Sequence, residues 1–144
     1  LEKRILILCR AVLLSHDPHS GNLDFLGRKL FKEADMALTT PEGAERLKDN
    51  GHGLSAWEKM FLQTAGGSRI NITATPCRYA PAGIEPITGQ VTGFMLEAQL
   101  ASCGPLYVTG DTVHFEGIAE VARRFSPQWI MAVPRPTRFR TRDK

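Results

Sequence analysis

His16, Asp17 and His19 fall within four residues of one another, where the apolar run Ala11-Val12-Leu13-Leu14-Ser15 stops. Imidazole and carboxylate groups at that spacing hold transition metals or move protons. Two later stretches carry further candidates. Thr75-Pro76-Cys77-Arg78-Tyr79 offers a guanidinium that could contact an anionic substrate, together with a phenol and a thiol. Gly110-Asp111-Thr112 offers a carboxylate on a sharp turn, with His114 close behind. Each has a plainer competing reading: a polar turn capping a helix for the first cluster, a turn-forming aspartate for Asp111, a packed tyrosine for Tyr79, and solvent-facing side chains for Arg78 and His114; His52, between two glycines, reads as a loop residue. No histidine is placed in the sequence to activate Cys77, so a thiol nucleophile is not expected.

The elements that must position these groups can be read from periodicity. Ala11 to Ser15 reads as a short buried strand. From Asn22 the pattern becomes helical: Leu23, Leu26, Leu30 and Phe31 share one face, with Asn22 as the N-cap and Asp24 in the first turn. Met36 to Thr39 reads as a strand. Thr40-Pro41-Glu42 then opens a helix running to about Lys48, with a hydroxyl cap and Pro in the first helical position. Asp49 to Gly53 has the composition of a loop. Trp57 to Leu62 and Arg69 to Ala74 read as neighbouring strands, the second alternating Ile70 and Ile72 with Asn71 and Thr73. Thr75 to Gly89 reads as a long irregular segment. Strands at Val91 to Leu96 and Leu106 to Thr109, a helix at Phe115 to Phe125 and a strand at Gln128 to Val133 complete the order. Strands interleaved with helices, with polar residues at strand ends, indicate a layered α/β fold.

At 144 residues the chain has the size of one domain, and its composition is that of a globular protein. No apolar run approaches the ~18 residues that cross a bilayer. The opening Leu1 to Arg10 is too short in its apolar part, and lacks the small-residue cleavage site, for a signal peptide; a strand and a cytoplasmic location are expected. Cys9, Cys77 and Cys103 are odd in number and without CxxC spacing, which suits reduced thiols. The net charge of +3 resides in the last eleven residues, Pro134 to Lys144, which carry +4 and leave the preceding 133 at −1. This stretch has one aromatic, no repeat and no core pattern, so a disordered tail is expected and nucleic-acid binding is the weaker reading.

Three blocks, taken in order, resemble the metallo-β-lactamase fold hydrolases, in particular the lactonase and phospholipase-D-like branch. They are Leu14-Ser15-His16-Asp17-Pro18-His19-Ser20-Gly21-Asn22-Leu23-Asp24, Thr73 to Pro81, and Tyr107-Val108-Thr109-Gly110-Asp111-Thr112. The resemblance covers most of residues 12–133. It implies a partial αββα sandwich, lacking the family's N-terminal hairpin and C-terminal portion, over residues 1–133. It implies a hydrolase that cleaves an ester, lactone or phosphodiester bond through a metal-activated hydroxide. His19 and Asp111 match the family's ligand positions, and His16 or Asp17 would be the first ligand. Asp17 and Asp111 would be the catalytic carboxylates, and Arg78, Tyr79 and His114 would line the substrate site. The cofactor implied is zinc, or manganese or iron, with one ion at most.

The chain departs from the family pattern at two ligand positions. Gly21 stands where the family has an aspartate, and Tyr79 where it has a histidine; a phenol with pKa near ~10 is a poor ligand. A non-catalytic, degenerate remnant of the fold is therefore the competing expectation. Self-association through exposed sheet edges is expected of a shortened sheet.

Overall fold

The computed structural model describes residues 11–17, 23–48, 50–80, 89–99, 102 and 104–133. The strand expected before Arg10 and the basic tail lie outside them, as do His19, Gly21 and Asn22. The described residues form two sheets and three helices. In chain order these are β1 (Ala11–Leu13), α1 (Phe25–Glu33), β2 (Met36–Thr39), α2 (Pro41–Leu47), β3 (Gly51–Gly53), β4 (Lys59–Gln63), β5 (Arg69–Pro76), β6 (Thr92–Ala98), β7 (Leu106–Val108), α3 (Glu116–Phe125) and β8 (Trp129–Met131).

Strands β1, β2 and β3 form a parallel sheet in that order. Strands β4 to β8 form a second sheet, also in chain order, antiparallel until β8 joins β7 in parallel. Antiparallel neighbours need only short turns, whereas the parallel β7–β8 pair is connected by a crossover through α3.

Period-two alternation sorts the apolar side chains into three clusters. Leu38 of β2, Ile72 and Ala74 of β5 and Phe94 of β6 meet with Leu54, joined by Leu13 and Met60, so this core draws on both sheets. The opposite faces of β1 and β2 send Val12 and Ala37 to Leu23 and Phe31, beside α1. The opposite faces of β6 and β7 send Met95 and Tyr107 to Val121 and Ile118 of α3. Phe31, Phe94 and Val121 are almost completely enclosed. Each such side chain contributes about 2 kcal/mol of transfer free energy.

Several expectations need correction. The first helix begins at Phe25, and its cap is Asp24, whose carboxylate accepts from the Gly27 amide at 2.7 Å. A carboxylate there satisfies an amide left unpaired by the helix start and also faces the positive end of the helix dipole. Of the expected helix face, Leu23 and Phe31 are buried but Leu26 is 61% exposed. The segment read as a loop contains β3, whose register pairs Leu38 with His52 and Thr39 with Gly53. Its glycines hid it, yet they are what allow it to form: a Cβ on Gly53 would stand 2.6 Å from the Pro41 Cα. The fourth strand starts at Lys59, not Trp57, because Ser55 to Glu58 form a turn in which Trp57 takes φ 72°. The fifth extends two residues further than expected, to Pro76. The second helix starts as expected, with the Thr40 hydroxyl accepting from the Gly43 amide at 3.1 Å.

Candidate functional site

Hydrogen bonds to Ser15 tie the end of β1 to β6 and to the third block. Ser15 accepts from the Thr92 amide through its carbonyl at 3.1 Å and from the Asp111 amide through its hydroxyl at 3.4 Å. Gly110 makes this approach feasible. Its φ is 63°, and a Cβ there would lie 2.4 Å from the Thr92 carbonyl oxygen and 2.8 Å from the Ser15 hydroxyl. Only glycine takes that conformation at no steric cost and leaves that space.

The second block is fastened to the third just as closely. The Arg78 amide donates to the Thr112 hydroxyl at 3.1 Å, and the Arg78 carbonyl accepts from Val113 at 2.7 Å. The Cys77 thiol donates to the carbonyls of Thr109 and Asp111 at 3.5 and 3.7 Å. The Arg78 guanidinium lies over the Phe115 ring, 4.8 Å from its centroid. Tyr79 turns to the first block, its ring centroid 5.2 Å from that of His16 with the planes at 67°. Three turns separated by roughly sixty and thirty residues thus meet in one place.

His16 is completely buried and Asp17 is 4% exposed. Asp17 has a partner that the sequence did not suggest. Arg46 of α2 donates to both carboxylate oxygens, through Nε at 2.9 Å and Nη2 at 2.5 Å. Burial pushes the Asp17 carboxyl up, but the hydrogen bonds and charge of Arg46 together outweigh it and hold the group below its ordinary value. Burial also dominates at Cys77 and pushes its thiol up to about 11, against activation as a nucleophile.

The donor chemistry decides how well a metal fits. Both Asp17 oxygens are engaged by Arg46 in a two-point pair, so a metal would have to compete with that cation for them. Among the described residues no group of three His, Cys, Asp or Glu side chains gathers closely enough to hold a metal ion. His16, Asp17 and Asp111 form no such group by themselves, and the set that the resemblance implies also includes His19, which lies outside the described residues. His114 is exposed. Of the expected substrate residues, Arg78 and Tyr79 do line a cleft of about 670 Å³, together with Thr40, Glu42, Gln90 and Phe115.

Sequence reasoning missed Arg46 as the partner of Asp17 and Ser15 as the bridge between blocks. Arg46 had a faint signal, as the cation in the last turn of a short capped helix. Ser15 had none beyond its place at the strand end.

No family model and no curated protein matches the chain. Its fold does match solved structures. One, from Veillonella parvula DSM 2008 and provisionally assigned as a metal-dependent hydrolase, superposes with a TM-score of 0.72 at 18% identity, over 90% of this chain and 50% of that one. The isothiocyanate hydrolase from Delia radicum gut bacteria gives 0.64 at 19% identity, over 84% and 47%. A further provisionally assigned metal-dependent hydrolase, from Parabacteroides distasonis ATCC 8503, gives 0.56 at 18% identity, over 84% and 63%. The chain spans about half the length of the first two. At these identities the likeness is one of fold.

Proposed function

We propose that this protein is a hydrolase of the metal-dependent kind, acting on an ester, lactone or phosphodiester bond at the meeting point of the three turns. The observation that carries this reading is their convergence: Ser15 bonded to Asp111, Arg78 to Thr112 and Val113, and Tyr79 against His16. Separate loops gathered at strand ends beside a cleft are how α/β scaffolds build sites. The three apolar clusters, one drawing on both sheets and one on each outer face, support a partial αββα sandwich of the metallo-β-lactamase type. The three solved structures described above, which this chain resembles in fold, are named as hydrolases, two of them metal-dependent. Zinc, manganese or iron as the ion is part of the proposal. Its donors would be His16, His19 and Asp111, since Arg46 holds Asp17.

The test is metal analysis of the purified chain alongside assays with p-nitrophenyl butyrate, dihydrocoumarin and bis(p-nitrophenyl) phosphate. A turnover that rises with metal supplementation and falls at least ~100-fold in His16→Ala and Asp111→Asn supports the reading. Turnover unaffected by those substitutions, or none with any substrate at saturating metal, overturns it.

One observation favours the second reading, a non-catalytic remnant of the fold. The Asp17–Arg46 pair and the Tyr79–His16 contact occupy, with structural interactions, groups that a metal centre would need. A cooperatively folded chain that takes up no metal and shows no turnover is the result this reading expects.

A further inference from the structure

Helix α1 turns a face to solvent that the core does not account for. Its inward side is marked by Phe31, packed with Leu14, Leu23 and Ala37. At the start of the same helix Phe25 is 83% exposed and Leu26 61%. Helical spacing sets Phe25, Lys29 and Lys32 in one line along the outer side, with Leu26 and Arg28 on its two flanks, and all five are exposed. The helix holds these three cations against one carboxylate, Glu33. Asp24, just before it, is engaged with the Gly27 amide. Single exposed apolar residues are ordinary on a protein surface. An adjacent pair set among cations has instead the composition of a helix that lies on a membrane, where Phe and Leu enter the headgroup boundary and Lys and Arg stay at the phosphates. A nucleic acid would engage the cations and leave Leu26 in water, and an apolar protein face would cover the pair and leave the lysines unmatched. An anionic lipid surface satisfies both halves of the pattern.

We propose that α1 docks the protein onto an anionic lipid surface, with Phe25 and Leu26 inserted among the headgroups and Arg28, Lys29 and Lys32 against the lipid phosphates. Nine residues at about 1.5 Å each are too few to cross a bilayer, so the helix lies along it. The inference concerns attachment and stands apart from the proposed hydrolysis. Co-sedimentation of the full chain with vesicles tests it, comparing phosphatidylcholine alone with phosphatidylcholine and phosphatidylserine in equal parts. The mixed vesicles should bind about tenfold or more tightly, and added salt should weaken that binding. Lys29→Gln with Lys32→Gln should lower affinity for the mixed vesicles about tenfold. Phe25→Ser with Leu26→Ser should lower it to a similar extent. All four side chains are exposed, so both double variants should unfold as cooperatively as the wild type. Arg28 is kept in both because its charge also reaches Asp17. Equal binding to the two kinds of vesicle, or binding to neither, overturns the inference. Full binding by the lysine variant also overturns it, since cations elsewhere, such as those from Pro134 to Lys144, would then be responsible. Full binding by the Phe25 and Leu26 variant, with loss in the lysine variant alone, would mark a site for any polyanion and overturns the lipid assignment.

Discussion

Arg46 and Asp17, twenty-nine residues apart, form a two-point ion pair that ties α2 to the end of β1. The Asp17 side chain is 5% exposed and that of Arg46 45% exposed, so the carboxylate has given up most of its water to make the bond. Removing Arg46 would leave a buried carboxylate without its cation. Arg46→Met is expected to destabilise the fold by about 2 kcal/mol at pH 7. The pair also predicts a pH dependence. Asp17 titrates lower in the folded protein than in the unfolded chain, so its contribution is fully present above the unfolded carboxyl value and is lost as pH falls through the folded one. The stability gap between wild type and Arg46→Met, measured by urea unfolding, should therefore narrow as the solution is acidified below about pH 4. A gap that does not change with pH would show that the pair acts through packing alone.

Gly110 sets the approach of the first and third blocks. Its φ of 63° and the 2.4 Å that would separate a Cβ from the Thr92 carbonyl leave no room for alanine. Gly110→Ala should cost about 2 kcal/mol or more and displace Asp111 from Ser15. Thermal unfolding measures the first effect and the amide shift of Asp111 the second.

Tyr79 stands against His16 where the resemblance leads one to expect a histidine. Tyr79→His, together with Gly21→Asp, is expected to raise zinc affinity by at least ~10-fold, as measured by competition with a chromophoric chelator. Unchanged affinity would locate the deficit elsewhere than at these two positions.

Cys77 is half-buried, with its thiol directed at two carbonyls and its pKa pushed up to about 11. At pH 8 it should react with iodoacetamide at least ~10-fold more slowly in the folded chain than in urea, by peptide mapping. Equal rates would mean that the turn opens readily.

The edge strand β8 leaves Trp129, Ile130 and Met131 each more than half exposed. An exposed apolar edge invites pairing with another edge. Light scattering should show association that grows with concentration, and Ile130→Lys should reduce it.

The sequence by itself determined what is local. Alternation in Arg69–Pro76 and its neighbours specified strands with two different faces, and Thr40-Pro41 specified a helix start, because both signals lie within a few residues. The order of three chemically distinctive turns was legible for the same reason. Glycine composition misled at Gly51–Gly53, where the same residues permit a strand to lie against Pro41. Only the tertiary structure decided the fate of the candidate site. Whether Asp17 faces a metal or Arg46, and whether Tyr79 packs on His16, depends on which side chains the chain path brings together across tens of residues. Periodicity carries no record of that path. The same three turns that the sequence marks out as a site are joined in space, but the carboxylate of the first is already paired with a cation twenty-nine residues away, a pairing that no local pattern announced.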